Sequence, residues 1–172
     1  IDFKLTDRFA DLERNGDYLV EELLPMDGCV YPYRELSHRP RDPNARQALG
    51  IGADDVIIGA FVTAMKLSRR CLALWREVLA RLPRARLLFS PHMPGMKRTY
   101  LRIAAAAGIE ANRVRFIHPG RNESESMARY DLVDFVLDTL PYGSVNGVLE
   151  PLSAGVPVVT LVGKQHGERS AY

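Results

Sequence analysis

From about residue 56 onward the chain switches repeatedly between two hydrophobic patterns. VIIGAFV from Val56 and ARLLFS from Ala85 are mostly apolar, as strands buried on both faces are. LSRRCLALWREVLARL between them repeats apolar residues at i, i+3 and i+4, which predicts an amphipathic helix capped by Ser68, with Trp75 in its core-facing stripe. GMKRTYLRIAAAAG predicts a second helix ended by Gly108, RVRFI a short strand, ESESMARYD a short helix, and Val133 to Leu137 a fourth strand. Strands and helices alternating at these lengths predict an α/β fold, a Rossmann-like parallel sheet with helices on both faces.

Residues 1–54 break this alternation. TDRFADL and DYLVEELL read as short helical pieces, and CVYPYRELSHRPRDPN is rich in proline and charge, so the segment reads as a helical and irregular linker or docking arm ahead of a lobe at 55–172. The opening IDFKLTDRF resembles neither a signal peptide nor a natural start, and the closing HGERSAY reads as the opening of a helix. The expectation is a piece of a longer protein.

The densest chemistry lies in VLDTLPYGSVNGVLEPLSAGVPVVTLVG, Val136 to Gly163. Pro141, Gly143 and Gly147 stop the fourth strand and force a turn. Asn146 is an N-cap type for a helix beginning at Gly147 and ending near Gly155, after which Val156 to Val162 is β-branched enough for a buried strand. A helix that opens beyond the carboxyl end of a parallel strand presents free N–H groups and the positive end of its dipole, which suits a diphosphate. Glu150, about one turn on, can accept hydrogen bonds from both hydroxyls of a ribose. Together these residues point to a nucleotide.

Composition narrows the choice little. The chain has 172 residues, enough for one main domain, with 47% hydrophobic and 26% charged residues and a net charge of +2 that gives no argument for nucleic acid. Cys29 and Cys71 lack metal-ligand spacing and read as free thiols of a reducing, cytoplasmic compartment. No apolar stretch approaches the roughly 20 residues that span a bilayer. The first strand is followed by TAMKLS rather than G-x-G-x-x-G, which argues against a classical NAD site, and Gly163-Lys164 lacks the earlier glycine of a P-loop.

MKLS at Met65 to Ser68, the LALWREVLARLPRARLLF after it, LDT at Leu137 to Thr139 and the E-x-L-x-x-G-V-P-V-V-T-L run from Glu150 to Leu161 together resemble the C-terminal catalytic region of the O-GlcNAc transferase and SPINDLY family. Bacterial SPINDLY-like proteins are especially similar, and PYGSVNG at Pro141 to Gly147 resembles the cytoplasmic N-glycosyltransferases that modify bacterial adhesins. YLVEELLPMDGCVYPY resembles the segment preceding the donor lobe in SPINDLY-like chains. The resemblance implies the C-terminal lobe of a GT-B glycosyltransferase. It implies an inverting, metal-independent transfer of a sugar, GlcNAc or hexose, from a nucleotide diphosphate to protein Ser/Thr or Asn. No cofactor is implied, the nucleotide-sugar being a substrate that is UDP-linked in most of the family and GDP-linked in plants.

By the same resemblance Lys66 contacts the donor diphosphate and steadies the leaving group, Ser144, Val145, Asn146 and Gly147 form the phosphate-binding turn, Glu150 takes the ribose, and His118 lies near the nucleotide with Arg121 and Asn122 beside it. The implied partners are the nucleotide-sugar donor, a protein acceptor and, in the same longer chain, an N-terminal lobe and tetratricopeptide repeats, to which the peptide groove and the groups that could deprotonate the acceptor largely belong. Val145 removes a hydroxyl that related patterns supply, and Pro151 is unusual directly after the acidic residue. Both departures favour the alternative, a noncatalytic binding module derived from such a lobe. His92 and His166 lie just beyond predicted strand ends, where His166 could touch the donor sugar or an acceptor, and Arg169 could add a second positive charge near the phosphates from a helix N-terminus.

Overall fold

The computed structural model of the protein describes residues 2–33, 40–91 and 95–172. Its centre is a five-stranded sheet of β3 (Val56–Gly59), β4 (Ala85–Phe89), β5 (Val114–Phe116), β6 (Phe135–Leu137) and β7 (Val158–Val159), numbered after two strands of the N-terminal segment. Every pairing is parallel and the order is β5-β4-β3-β6-β7. From β3 the chain first builds outward on one side through β4 and β5 and then crosses to the other side for β6 and β7, which makes the gap between β3 and β6 the topological switch point.

Both faces of the sheet are covered. On one side Ile58, Leu87 and Phe89 pack against Cys71, Leu72, Trp75 and Leu79 of α2 (Arg69–Arg81) and Tyr100 and Ala104 of α3 (Met96–Ala106). On the other, Ile57, Leu88 and Val136 pack with Tyr130, Leu132 and Val156. Neighbouring residues of one strand thus feed opposite layers, as a two-sided parallel sheet requires. Ser68 caps α2 as its sequence predicts, its Oγ accepting from the Cys71 N–H at 3.1 Å, and Gly108 follows α3 with φ +76°, a conformation glycine adopts without strain. Gly59 is needed for close approach, since a Cβ there would stand 3.0 Å from Val136 Cγ2 across the switch point.

The predicted last strand, Val156 to Val162, shrinks to Val158–Val159. A strand exists only where a neighbour offers a ladder, and β6 ends at Leu137 because the chain turns at Asp138. The Asp138 N–H donates to Val159 O at 3.0 Å as the last rung, after which the Thr160 hydroxyl is drawn to the Asp138 carboxylate.

The N-terminal segment also departs from its prediction. EELL forms no helix: β1 (Phe3–Thr6) and β2 (Glu22–Pro25) pair in parallel, with Phe3 opposite Glu22 and Thr6 opposite Pro25. TDRFADL contributes the end of β1 and a single turn whose N–H groups at Phe9 and Ala10 are bound by the Asp7 carboxylate, and Glu13–Tyr18 is a 3₁₀ helix. Helical propensity is a weak preference that tertiary pairing overrides. The segment is fastened to the lobe by Arg41 Nη2 donating to Tyr130 O at 3.0 Å, by an Arg46–Asp134 ion pair at 2.9 Å beside the four-residue α1 (Ala45–Ala48), and by Asn15 donating to Lys164 O. Most of the proline-rich stretch after Tyr33, like His92, lies outside the described residues. HGERSAY forms a 3₁₀ turn, His166–Glu168, in which Glu168 reaches back to the Gln165 N–H.

Candidate functional site

The loops after β3 and β6 enclose a cavity of about 670 Å³ at the carboxyl edge of the sheet. One wall comes from the first of them. Beyond Phe61 the chain forms a 3₁₀ turn, Ala64–Lys66, closed by the Lys66 N–H donating to Thr63 O at 3.0 Å, before Ser68 starts α2. The turn throws Lys66 across the switch point. Its Nζ donates to Gly143 O at 2.9 Å and approaches Ser144 Oγ at 3.3 Å, with the Tyr142 ring 4.9 Å below. The lysine therefore ties the two loops together and places its charge beside the glycine turn.

That turn is organised from beneath by Asp138. Its buried carboxylate accepts from the Ser144 N–H and the Thr160 hydroxyl, both at 3.0 Å, and burial holds its pKa above the usual value despite these donors. Gly143 leaves no room for a side chain, since a Cβ would lie 3.1 Å from Asp138 Oδ2, and one at Gly147 would lie 2.9 Å from Ser144 Cβ. α5 (Asn146–Ser153) opens directly from the turn. Asn146 was expected as its N-cap, but the helix starts one residue earlier, with Val145 in the cap position and no side chain capping it. The reason is backbone geometry: Val145 already has helical angles (φ −86°, ψ −69°), so Asn146 becomes the first helical residue. The helix N-terminus is left without a side-chain acceptor and borders the cavity, the arrangement an anion satisfies. Pro151 lies inside the helix and is buried, and it brings no N–H to the Gly147 carbonyl.

Lys66, Ser144, Val145, Asn146, Gly147 and Glu150 all line this one cavity. Glu150 does not stand alone, however. Its Oε2 is 2.7 Å from Arg129 Nη2 and accepts from the Tyr130 hydroxyl at 2.9 Å. The Arg129 guanidinium also lies over the Phe61 and Tyr130 rings, at 4.7 and 5.0 Å, and its side chain is 10% exposed. Burial pushes the Tyr130 hydroxyl well above its ordinary pKa, so it stays a donor. Two buried polar atoms bordering the cavity, Arg129 Nε and Ser90 Oγ, have no protein partner. A bound molecule with polar edges would satisfy them.

The remaining candidates are distributed unevenly. His118 is exposed and is not among the cavity's lining residues; its Nδ1 accepts from the Gly120 N–H at 3.1 Å. Asn122 caps α4 (Glu123–Ala128), accepting from the Glu125 N–H at 2.9 Å, and Arg121 pairs with Glu125 on the surface. Arg169 donates to Phe9 O at 2.6 Å and to Gly163 O, holding the end of the chain to the N-terminal segment. His166 does reach the cavity, its imidazole between Asp11 and Tyr31.

Arg129, Tyr31, Asp11 and Ser90 were not singled out from the sequence. Arg129 carried one signal, a basic residue at the end of a short helix just before a central strand. Tyr31 and Asp11 carried none, because tertiary contact alone brings them to the lobe. No group of three His, Cys, Asp or Glu among the described residues is placed to hold a metal ion, and no described helix is long and apolar enough to cross a membrane.

Comparison with known proteins places this geometry. Among solved structures, a mutant of the O-GlcNAc transferase of Thermobaculum terrenum superposes with a TM-score of 0.80 at 26% identity, covering 99% of this chain and 32% of that one. A lipopolysaccharide-biosynthesis glycosyltransferase, WaaG, shares the fold at a TM-score of 0.51 and 22% identity. The sheet and its covering helices are those of the C-terminal lobe of GT-B glycosyltransferases. In sequence, the Arabidopsis thaliana protein described as a probable UDP-N-acetylglucosamine–peptide N-acetylglucosaminyltransferase SPINDLY is 28% identical over 170 residues, 96% of this chain. The Arabidopsis protein SEC, described in the same terms, is 31% identical over 94% of it. The chain spans 18% and 17% of the length of these relatives. The profile described as glycosyl transferase family 41 matches residues 42–172, and the chain belongs to that family, as part of the C-terminal catalytic region of its O-GlcNAc transferase and SPINDLY branch.

Proposed function

We propose that this chain is the donor-binding lobe of an inverting, metal-independent glycosyltransferase that moves a sugar from a nucleoside diphosphate to a protein side chain. The observation that carries this reading is the convergence of the Lys66 ammonium, the uncapped N-terminus of α5 and the Glu150 carboxylate on one cavity at the switch point of the sheet. Cleavage of the sugar–phosphate bond leaves new negative charge on the diphosphate, and a lysine and helix N–H groups already fixed in place stabilise that charge as it forms. Glu150, oriented by Arg129, supports a ribose contact, and the relatives' descriptions support a UDP-linked donor and a peptide acceptor. In this reading the complete enzyme is assembled with a second lobe, and with tetratricopeptide repeats, of the same longer protein.

Titration calorimetry with UDP, GDP and their sugars tests the proposal. Binding of at least one diphosphate is expected, unchanged by EDTA because the charge is supplied by protein groups. Silence toward every nucleotide at millimolar concentration would favour the noncatalytic module, and binding abolished by chelation and restored by magnesium or manganese would overturn the metal-independent mechanism.

A further inference from the structure

Asp11, His166 and Tyr31 form a line of hydrogen bonds that ends in the cavity. Asp11 Oδ2 lies 2.9 Å from His166 Nδ1, and His166 Nε2 lies 2.8 Å from the Tyr31 hydroxyl. The three come from the turn after β1, from the last 3₁₀ turn, and from the segment before Tyr33, so that 155 and 135 residues of chain separate the partners. The Asp11 side chain is 2% exposed and is ringed by donors: Lys4 Nζ at 3.0 Å, Thr6 Oγ1 at 2.7 Å and Asn15 Nδ2 at 3.0 Å. Burial alone would raise its pKa, but the hydrogen bonds from Thr6, Asn15, Lys4 and His166 outweigh it and hold the carboxyl well below the usual carboxylate range.

An ionised carboxylate can only accept, so when the imidazole is neutral its proton sits on Nδ1 facing Asp11 and Nε2 is the acceptor. The Tyr31 hydroxyl must then donate to Nε2, and the remaining lone pairs of its oxygen are open to an incoming hydroxyl. The line also stands beside the turn that Lys66 reaches. The Gly143 N–H donates to Gly167 O at 2.8 Å, so the turn carrying His166 is hydrogen-bonded to the residue whose carbonyl holds Lys66.

On the reading of the cavity as a donor site, we infer that Tyr31 takes the proton of the attacking hydroxyl, passing its own proton to His166. As the acceptor oxygen bonds to the anomeric carbon of the donor sugar, its proton moves to the Tyr31 oxygen and the Tyr31 proton moves to His166 Nε2. The bond from the anomeric carbon to the phosphate oxygen breaks, and its electron pair leaves on the diphosphate beside Lys66. The imidazolium so formed faces the Asp11 carboxylate and later returns its proton to solvent through Tyr31. A phenol alone is a poor proton acceptor at neutral pH and an imidazole a good one, so the tyrosine needs the histidine behind it, and the carboxylate fixes the imidazole tautomer. The other cavity groups do not serve. Lys66 is a cation, and Glu150, the one carboxylate among the described lining residues, already holds Arg129 and Tyr130 through Oε2. Tyr31 is then a catalytic residue, and His166 and Asp11 act through it as positioning and relay residues.

The test uses the full-length protein with UDP-N-acetylglucosamine, or with the sugar nucleotide that binds best by calorimetry, and water as acceptor, following release of the nucleoside diphosphate. Tyr31→Phe and His166→Gln should each lower kcat roughly 10²-fold or more. KM and the Kd for the nucleoside diphosphate should stay within about twofold of wild type, and the double variant should be little worse than either single one because the two residues act as a unit. Wild-type kcat in Tyr31→Phe, or losses confined to Kd and melting temperature, would overturn the relay while leaving the donor site intact. Failure of the wild-type protein to bind any nucleoside diphosphate would overturn the donor reading and the relay with it.

Discussion

Lys66 and Glu150 occupy the same cavity but are held differently, and their replacements should fail differently. The Lys66 ammonium ties its turn to the glycine turn by donating to Gly143 O, so Lys66→Ala removes both a charge for the diphosphate and a tie between two loops. Diphosphate binding in the full-length protein should weaken by about 1.5–3 kcal/mol, the range for hydrogen bonds to charged groups, and turnover should fall with it while the nucleoside alone binds nearly as before. Calorimetry with both ligands separates the effects. Glu150→Ala removes the ribose acceptor and also strands the Arg129 guanidinium, whose side chain is 10% exposed. Besides shrinking the preference for ribose over 2′-deoxyribose, it should therefore lower the unfolding free energy by about 1–3 kcal/mol in a urea titration. Unchanged stability would show that Arg129 finds another partner.

The two loops that make the cavity are short, and their shape is dictated by the elements they join. α2 is the clearest case. Ser68 both caps this helix and donates from Oγ to Leu140 O at 2.6 Å, tying the helix start to the chain leaving β6. Ser68→Ala removes the cap, about 1 kcal/mol, and leaves the Leu140 carbonyl without that donor, so a total loss of about 2 kcal/mol is expected from denaturant unfolding. α5 shows the opposite economy. With neither Asn146 nor any other side chain capping it, its N-terminus is left to the cavity, and Asp138 beneath the turn spends its hydrogen bonds on Ser144 and Thr160 instead.

Across the molecule, the N-terminal segment is folded around the buried Asp7 carboxylate and joined to the last turn of the chain by the buried Asp11 carboxylate, and this should appear in the pH dependence of stability. Asp11 and Asp7 both have lowered pKa values. Burial raises each, but hydrogen bonds prevail: side-chain donors on Asp11, and the backbone N–H groups of Val30, Ala10 and Phe9 on Asp7. Depressed carboxyls contribute stability that is fully present above the unfolded value of about 3.9 and is lost as pH falls through the folded values. Asp138, raised by burial, has the opposite slope just above 3.9. Denaturant titrations between pH 5 and pH 2.5 should therefore show a fall in stability below about pH 4 that is shallower in Asp11→Asn. An identical slope in the variant would remove Asp11 from the acid transition.

The alternation of strand-like and helical periods was enough to determine the parallel sheet with its covered faces, and it marked the turn after the fourth strand as a candidate site, because burial on two faces leaves a mark in local sequence. The glycine turn and Glu150 stood out as candidates because they follow the end of a strand that the pattern reveals, whereas Lys66 was singled out by the resemblance of MKLS to the family, and the fold brings all three to one cavity. His118, placed near the nucleotide by the resemblance, and Arg121 and Asn122 beside it in the same loop turn in the fold to neighbouring backbone and to Glu125. What the tertiary structure alone decided depends on partners far away in sequence. The EELL stretch became a strand because Phe3–Thr6 offered it a ladder, and β7 stopped at Val159 because β6 stopped at Leu137. Arg129 acquired its meaning from Glu150 and Phe61, and His166 from Asp11 and Tyr31. A contact between residues well beyond one helical or strand period apart, whether 21 positions for Arg129 and Glu150 or 155 for His166 and Asp11, leaves no period in the chain, so those contacts existed nowhere until the fold brought the side chains together.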